Sequence, residues 1–293
     1  MNHVKFIFQS CIALVVFTCS ICFAAMPEIP LHLSFSPQGM PATTIQIQGK
    51  TIPLAFDISS TRTNIALSAD IIKKLNLQLA PSNEKFCSHD IAGHETCYKT
   101  FTIPEVNLGT LAMRNVPGVV RDYMWNNPPD SGFIFTEAYQ NGVIGQDLLR
   151  KFNVLIDYPR EQVVLMPQGQ YPKEYNVKSW QRILFTVNRY GITTSAKING
   201  IDVVFAWMTA ANHSVLTTAA MQKIFHVKQA RFGKTTCVAL APDSVVIANK
   251  KFPSTPFYPA DEEFPFDGLI GSTFFQEHAV FFDFKNNYLY VKN

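Results

Sequence analysis

Four groups of residues in this chain could do chemistry. The first is a carboxylate at the end of an apolar strand, Asp57-Ile58-Ser59. Two carboxylates close enough to share a proton can divide the roles of acid and base and so activate a water. A lone one cannot. The second group is Cys87, His89, His94 and Cys97, whose side-chain types would suit zinc. The third is His213-Ser214, half of a hydrolase pair, but the chain has no Gly-x-Ser-x-Gly turn to present a nucleophile. The fourth is Asp157 and Asp283, each at the end of a later apolar strand.

The elements that must position these groups come in two copies. Residues 141–157 align without a gap to 267–283, matching Gly142 with Gly268, Ile144 with Ile270, Gly145 with Gly271, Val154 with Val280 and Asp157 with Asp283. Upstream, 47–60 aligns with 198–211. Each begins as a hairpin with a turn at Gln48-Gly49 or Asn199-Gly200 and leads into an apolar strand. In this alignment Asp57-Ile58-Ser59 falls opposite Met208-Thr209-Ala210. Ser68 is expected to cap a helix over 69–77, with Asp70 near its positive end, and a matching helix is expected from Thr217 or Thr218 through Ile224. The order of hairpin, helix, strands and Gly-containing strand–helix therefore repeats, with a boundary near 169–179. Ligands of such paired units usually sit in the cleft between them.

The paired strands Val143-Ile144-Gly145 and Leu269-Ile270-Gly271, each following an apolar strand that ends at a catalytic-type triplet, resemble the pepsin and retropepsin families of aspartic peptidases. Segments 142–149 and 152–157 look especially like the bacterial retropepsin-like proteins. The resemblance covers nearly all of the chain after residue 25. It implies an all-β, two-lobed acid-protease fold with short helices in each lobe. The expected division is a signal peptide over 1–25, an N-terminal lobe over 26–168, a linker over 169–179 and a C-terminal lobe over 180–293.

Against that family the catalytic loops are degenerate. Asp57 survives, but Ile58 replaces the Thr whose hydroxyl ties the two loops together, and Ser59 replaces Gly. Met208 replaces the second Asp, and Ala210 adds a second Cβ where Gly normally lets backbone approach closely. The resemblance implies that Asp57 is catalytic only in a remnant sense. Its alternative is a strand-end residue with no role. Trp207 and Met208 are expected on the cleft floor.

The resemblance also implies a flap hairpin over 86–98. Pairing Cys87 with Cys97 sets Ser88 opposite Thr96 and His89 opposite Glu95, leaving Ile91, Ala92 and Gly93 as a three-residue loop over the cleft. Directly paired cysteines are at a separation a disulfide can bridge. The zinc alternative places His89 and His94 on opposite faces of that hairpin. Asp157 and Asp283 are expected to be structural. The aromatic stretch 121–129 could line the cleft or anchor a loop.

Composition bounds the rest. Apolar residues make up 47% and charged residues 16%, an ordered globular balance. Eighteen prolines, 24 phenylalanines and many Val/Ile/Thr runs lean towards β structure. A net charge of +3, with basic residues scattered along the chain, argues against nucleic acid. Lys5, the apolar run 11–23 and Ala24-Ala25 read as a cleavable secretory signal. An uncleaved anchor is the alternative, although the run is shorter than the roughly 20 residues a membrane span needs. Export to a periplasm or beyond the cell permits disulfides, leaving Cys237 over as a buried small hydrophobe.

The expected function is an exported, inactive aspartic-peptidase-like protein that binds a peptide or protein at the interlobe cleft. No cofactor, metal, nucleic acid or membrane partner is expected after signal cleavage. The alternatives are an active endopeptidase using Asp57 from each chain of a homodimer, and a structural envelope scaffold.

Overall fold

A computed structural model of the protein describes residues 27–58, 63–81, 83–89, 95–121, 136–226, 239–253, 255–260 and 264–292. The signal segment, Ser59, the hairpin tip with Asp90, Ile91, Ala92, Gly93 and His94, the loop after Arg121 and Cys237 lie outside them.

The described residues form two eight-stranded sheets and a six-stranded sheet between them. Five short helices accompany them among the described residues. In the first lobe, strands Pro41–Ile47 and Lys50–Phe56 make the expected hairpin. Gln48 and Gly49 both take positive φ, 51° and 77°; at the matching turn Asn199 and Gly200 take 48° and 81°. Two positive φ values in a two-residue turn match the twist of the flanking strands. The second hairpin joins Gly191–Ile198 to Ile201–Trp207.

The six-stranded sheet displays the repeat most directly. From the first half it takes Ile29–His32, Gln162–Pro167 and Phe152–Asp157. From the second it takes Val280–Asp283, Tyr288–Val291 and Gln181–Leu184. The halves meet where Val154 pairs with Phe282, Leu155 with Phe281 and Ile156 with Val280. Because Val154 aligns with Val280 and Leu155 with Phe281, a pseudo-twofold axis passes between Leu155 and Phe281. The central strands are buried along their whole length, and Val154-Leu155-Ile156 and Val280-Phe281-Phe282 within them are continuous apolar runs, as in strands covered on both faces.

The first helix is shorter than expected, Ala69–Lys74. Ser68 accepts from the Ile71 amide at 3.4 Å. The chain then turns left-handed at Asn76 (φ 52°), and the Leu77 amide reaches back to the Ile72 carbonyl. The matching helix, Thr218–Phe225, is capped by Thr217, which accepts from Ala220 at 3.2 Å.

Candidate functional site

Both triplets are held by the same backbone device. Ala55 and Phe56 pair in parallel with Val143 and Ile144, and the Asp57 amide donates to the Ile144 carbonyl at 3.1 Å. In the second lobe Ala206 and Trp207 pair with Leu269 and Ile270, and Met208 donates to Ile270 at 2.9 Å. The crossing strand passes so close to its neighbour that glycine is required. A Cβ on Gly142 would lie 2.0 Å from the Ala66 carbonyl oxygen, and one on Gly268 would lie 2.3 Å from that of Val215. The glycines of the motif thus bring a third strand against each triplet.

The two loops touch at the axis. The Thr209 hydroxyl accepts from the Ile58 amide at 3.1 Å and donates to the Phe56 carbonyl at 3.0 Å. Ile58 and Thr209 occupy matching positions, and both are fully buried. The contact is one-sided, because Ile58 has no hydroxyl to return it. Ala210, also buried, packs beside Met208. The retained role of Thr209 was readable from its side-chain type, but the degeneracy of its neighbours masked it.

Asp57 is fully buried. It lies near two buried phenols, Tyr139 and Tyr158. Burial, with a smaller contribution from the Asp57 carboxylate, pushes both well above the usual tyrosine range, so they stay protonated. The Tyr139 hydroxyl donates to the Pro41 carbonyl at 3.2 Å, and the Tyr158 ring packs against Phe35 and Phe275. These tyrosines were not anticipated from sequence. The one available signal was that Tyr158 follows Asp157 where Phe284 follows Asp283.

Met208 is buried in an apolar cluster with Ala206, Phe266 and Leu269, flanked by half-buried Tyr190 and Phe264. Trp207 is a correction to the sequence expectation. It does not floor a cleft but points to the opposite side of the strand, into the main core. There its ring packs against Phe274 and Phe275, and its indole N–H donates to Thr194 at 2.9 Å. Alternation along a strand forces this, since Met208 and Trp207 are adjacent.

The hairpin strands Lys85–His89 and Glu95–Leu108 pair in the expected register, Cys87 with Cys97, Ser88 with Thr96 and His89 with Glu95. Cys87 and Cys97 are joined by a disulfide, with Cα atoms 4.0 Å apart, so neither thiolate is free for a metal. No group of metal-binding side chains is present among the described residues. His213 stacks on Tyr258, and burial pushes its imidazole below the usual histidine range. Ser214 accepts from the Gly271 amide at 3.1 Å and lies 3.4 Å from the Thr273 hydroxyl. Both are thus engaged in holding the loop. Asp157 accepts from the Arg160 amide and the Tyr175 hydroxyl, and Asp283 from Asn286 and the Tyr171 hydroxyl. These matching contacts tie down strand ends.

A groove of about 260 Å³ lies elsewhere, on the second lobe, lined by Leu184, Thr186, Thr193, Ser195, Val204 and Ala248 among others.

No family model matches the chain, and no curated protein matches it. Among solved structures it is similar to the basic 7S globulin from soybean. The TM-score is 0.53 at 13% identity, over 90% of this chain and 94% of that one. The chain has the two-lobed acid-protease fold. Its interlobe sheet and duplicated glycine-crossed strands are that fold's parts, and Met208 occupies the position that matches Asp57 in the duplication.

Proposed function

We propose that this is an exported protein of the acid-protease fold that has no peptidase activity and binds a peptide or protein segment between its lobes. The observation that carries the reading is Met208 at the position matching Asp57, packed among Ala206, Phe266 and Leu269. A thioether there neither holds a proton nor orients a water, so nothing splits the acid and base roles with Asp57. Several features support a binding role. Half-buried Phe86 and Tyr98 flank the cluster containing Ala55, and half-buried Tyr190 and Phe264 flank the cluster containing Met208. Aromatic surface on both lobes suits apolar peptide side chains. The exposed Cys87–Cys97 disulfide agrees with an oxidising compartment.

A homodimeric dyad built from two copies of Asp57 is disfavoured by the Thr209 contacts. The chain's own second lobe already occupies the backbone groups that flank Asp57.

The test combines panning of a random peptide display library on the purified mature chain with a cleavage assay from about pH 3 to pH 7, the range in which carboxyl dyads work. Enriched peptides that stay intact, and whose binding weakens in Tyr98→Ala and Phe264→Ala, are expected. Cleavage by the wild type that is lost in Asp57→Ala would overturn the inactive reading. A library that yields no binder would overturn the binding reading.

A further inference from the structure

We propose that the outer face of the interlobe sheet is a docking surface for an anionic phospholipid membrane. The residues that build it are distant in sequence, and the fold collects them. The segment between Pro167 and Gln181 crosses that face, laying Tyr171, Tyr175, Val177 and Trp180 against Leu155, Val164, Met166, Phe281 and Tyr290, with Tyr288 at the margin. The rings of this single cluster carry cations. Arg182 sits 4.6 Å from the Tyr288 ring centre and Lys178 5.8 Å from that of Tyr171, while Arg160 and Lys292 lie 5.0 and 5.6 Å from that of Tyr175.

All four cations are exposed. Arg160 is paired with Glu174 at 3.5 Å and with Asp157 at 3.9 Å. Lys178, Arg182 and Lys292 have no acidic partner within ion-pair distance among the described residues. The two acids beneath, Asp157 and Asp283, are buried and already accept the Tyr175 and Tyr171 hydroxyls. The face therefore presents positive charge outward.

Leu184 points to a membrane rather than a soluble polyanion. It is 64% exposed. It lies on the same side of its edge strand as Arg182, opposite the buried Ile183. An exposed leucine beside Tyr and Trp rings and unpaired basic side chains is the composition of a membrane–water interface. A soluble anion gains nothing from Leu184. The proposal runs against the sequence expectation of no membrane partner after signal cleavage.

The test is co-sedimentation of the mature chain with vesicles of phosphatidylcholine alone and with added phosphatidylglycerol, at low and high salt. Binding is expected only to the anionic vesicles, and to weaken with salt. The triple variant Lys178→Glu/Arg182→Glu/Lys292→Glu should bind at least about tenfold more weakly, given the attraction each basic residue contributes near an anionic surface. Leu184→Ser should weaken vesicle binding and leave binding to soluble polyphosphate unchanged. Lys85→Glu/Lys99→Glu, on the hairpin, serves as the control and should bind like the wild type. Melting curves confirm that each variant is folded, and Lys→Gln and Arg→Gln changes replace any reversal that is not. Equal binding to neutral vesicles, indifference to the triple change, or polyphosphate binding that matches vesicle binding and ignores Leu184 would each overturn the proposal.

Discussion

The Thr209 hydroxyl of the second lobe bridges the Phe56 carbonyl and the Ile58 amide of the first, on either side of Asp57. It links the lobes through hydrogen bonds on both sides of the carboxylate. Ile58, at the matching position, has no hydroxyl with which to reciprocate.

Thr209→Val keeps the shape and removes that hydroxyl, leaving a buried amide and a buried carbonyl without it. Each unsatisfied group costs about 1–3 kcal/mol, so a loss of roughly 2–6 kcal/mol is expected. Thr209→Ser should lose far less. Urea unfolding of the three proteins checks this, and a Val variant as stable as the wild type would show that the bridge contributes little.

Met208→Asp places a carboxyl among Ala206, Phe266 and Leu269, at the position matching Asp57. Burial and a neighbouring carboxylate both raise a carboxyl's pKa in the folded state above the unfolded value of about 3.9. The penalty is then absent below that value and grows as pH rises through the folded pKa. Stability relative to wild type should therefore fall between acid and neutral pH. Thermal melts across that range measure it, and a pH-independent difference would mean that the new side chain escapes to solvent.

Gly142→Ala would press a Cβ to within 2.0 Å of the Ala66 carbonyl oxygen, a contact only backbone movement can relieve. Failure to fold, or a loss above about 3 kcal/mol, is expected. Gly49→Ala meets nothing within 4 Å and bears only its positive φ of 77°. That change should cost about 1–2 kcal/mol. Similar melting temperatures for the two variants would contradict the close strand crossing.

Tyr175 donates to Asp157, and burial together with that contact pushes its phenol up to about 12. A raised folded pKa means a contribution fully present below the unfolded pKa near 10 and lost as pH rises through about 12. Tyr175→Phe should therefore remove part of the decline in stability between those values. Denaturant titrations of both proteins at a series of alkaline pH values would reveal it, and parallel curves would remove the linkage.

Much of this protein was legible in its sequence. The duplication could be read because each half repeats the same local requirements: a two-residue turn at Gln48-Gly49 and Asn199-Gly200, and a strand that only glycine lets cross at Gly142 and Gly268. The pairing of Cys87 with Cys97 was implied by the flap hairpin of the resembling family, and it leaves a three-residue loop. These features depend on near neighbours, so local pattern carries them. Trp207 was misplaced because the end of its strand, Phe205-Ala206-Trp207, is apolar and buried throughout and so shows no alternation, and nothing in those residue types says which side meets the core. The first helix was overextended because the left-handed turn at Asn76 that ends it carries no glycine.

The tertiary structure alone decided what meets across the two halves. Thr209 reaches Ile58 only because the six-stranded sheet sets the lobes face to face about the Leu155–Phe281 axis. Lys178, Arg182 and Lys292 share a face with Tyr171, Tyr175 and Tyr288 only because the interlobe segment folds over strands from both ends of the chain. Contacts of that kind depend on the packing of distant segments, whose relative placement is set by the summed burial of the whole core and by no single stretch of residues.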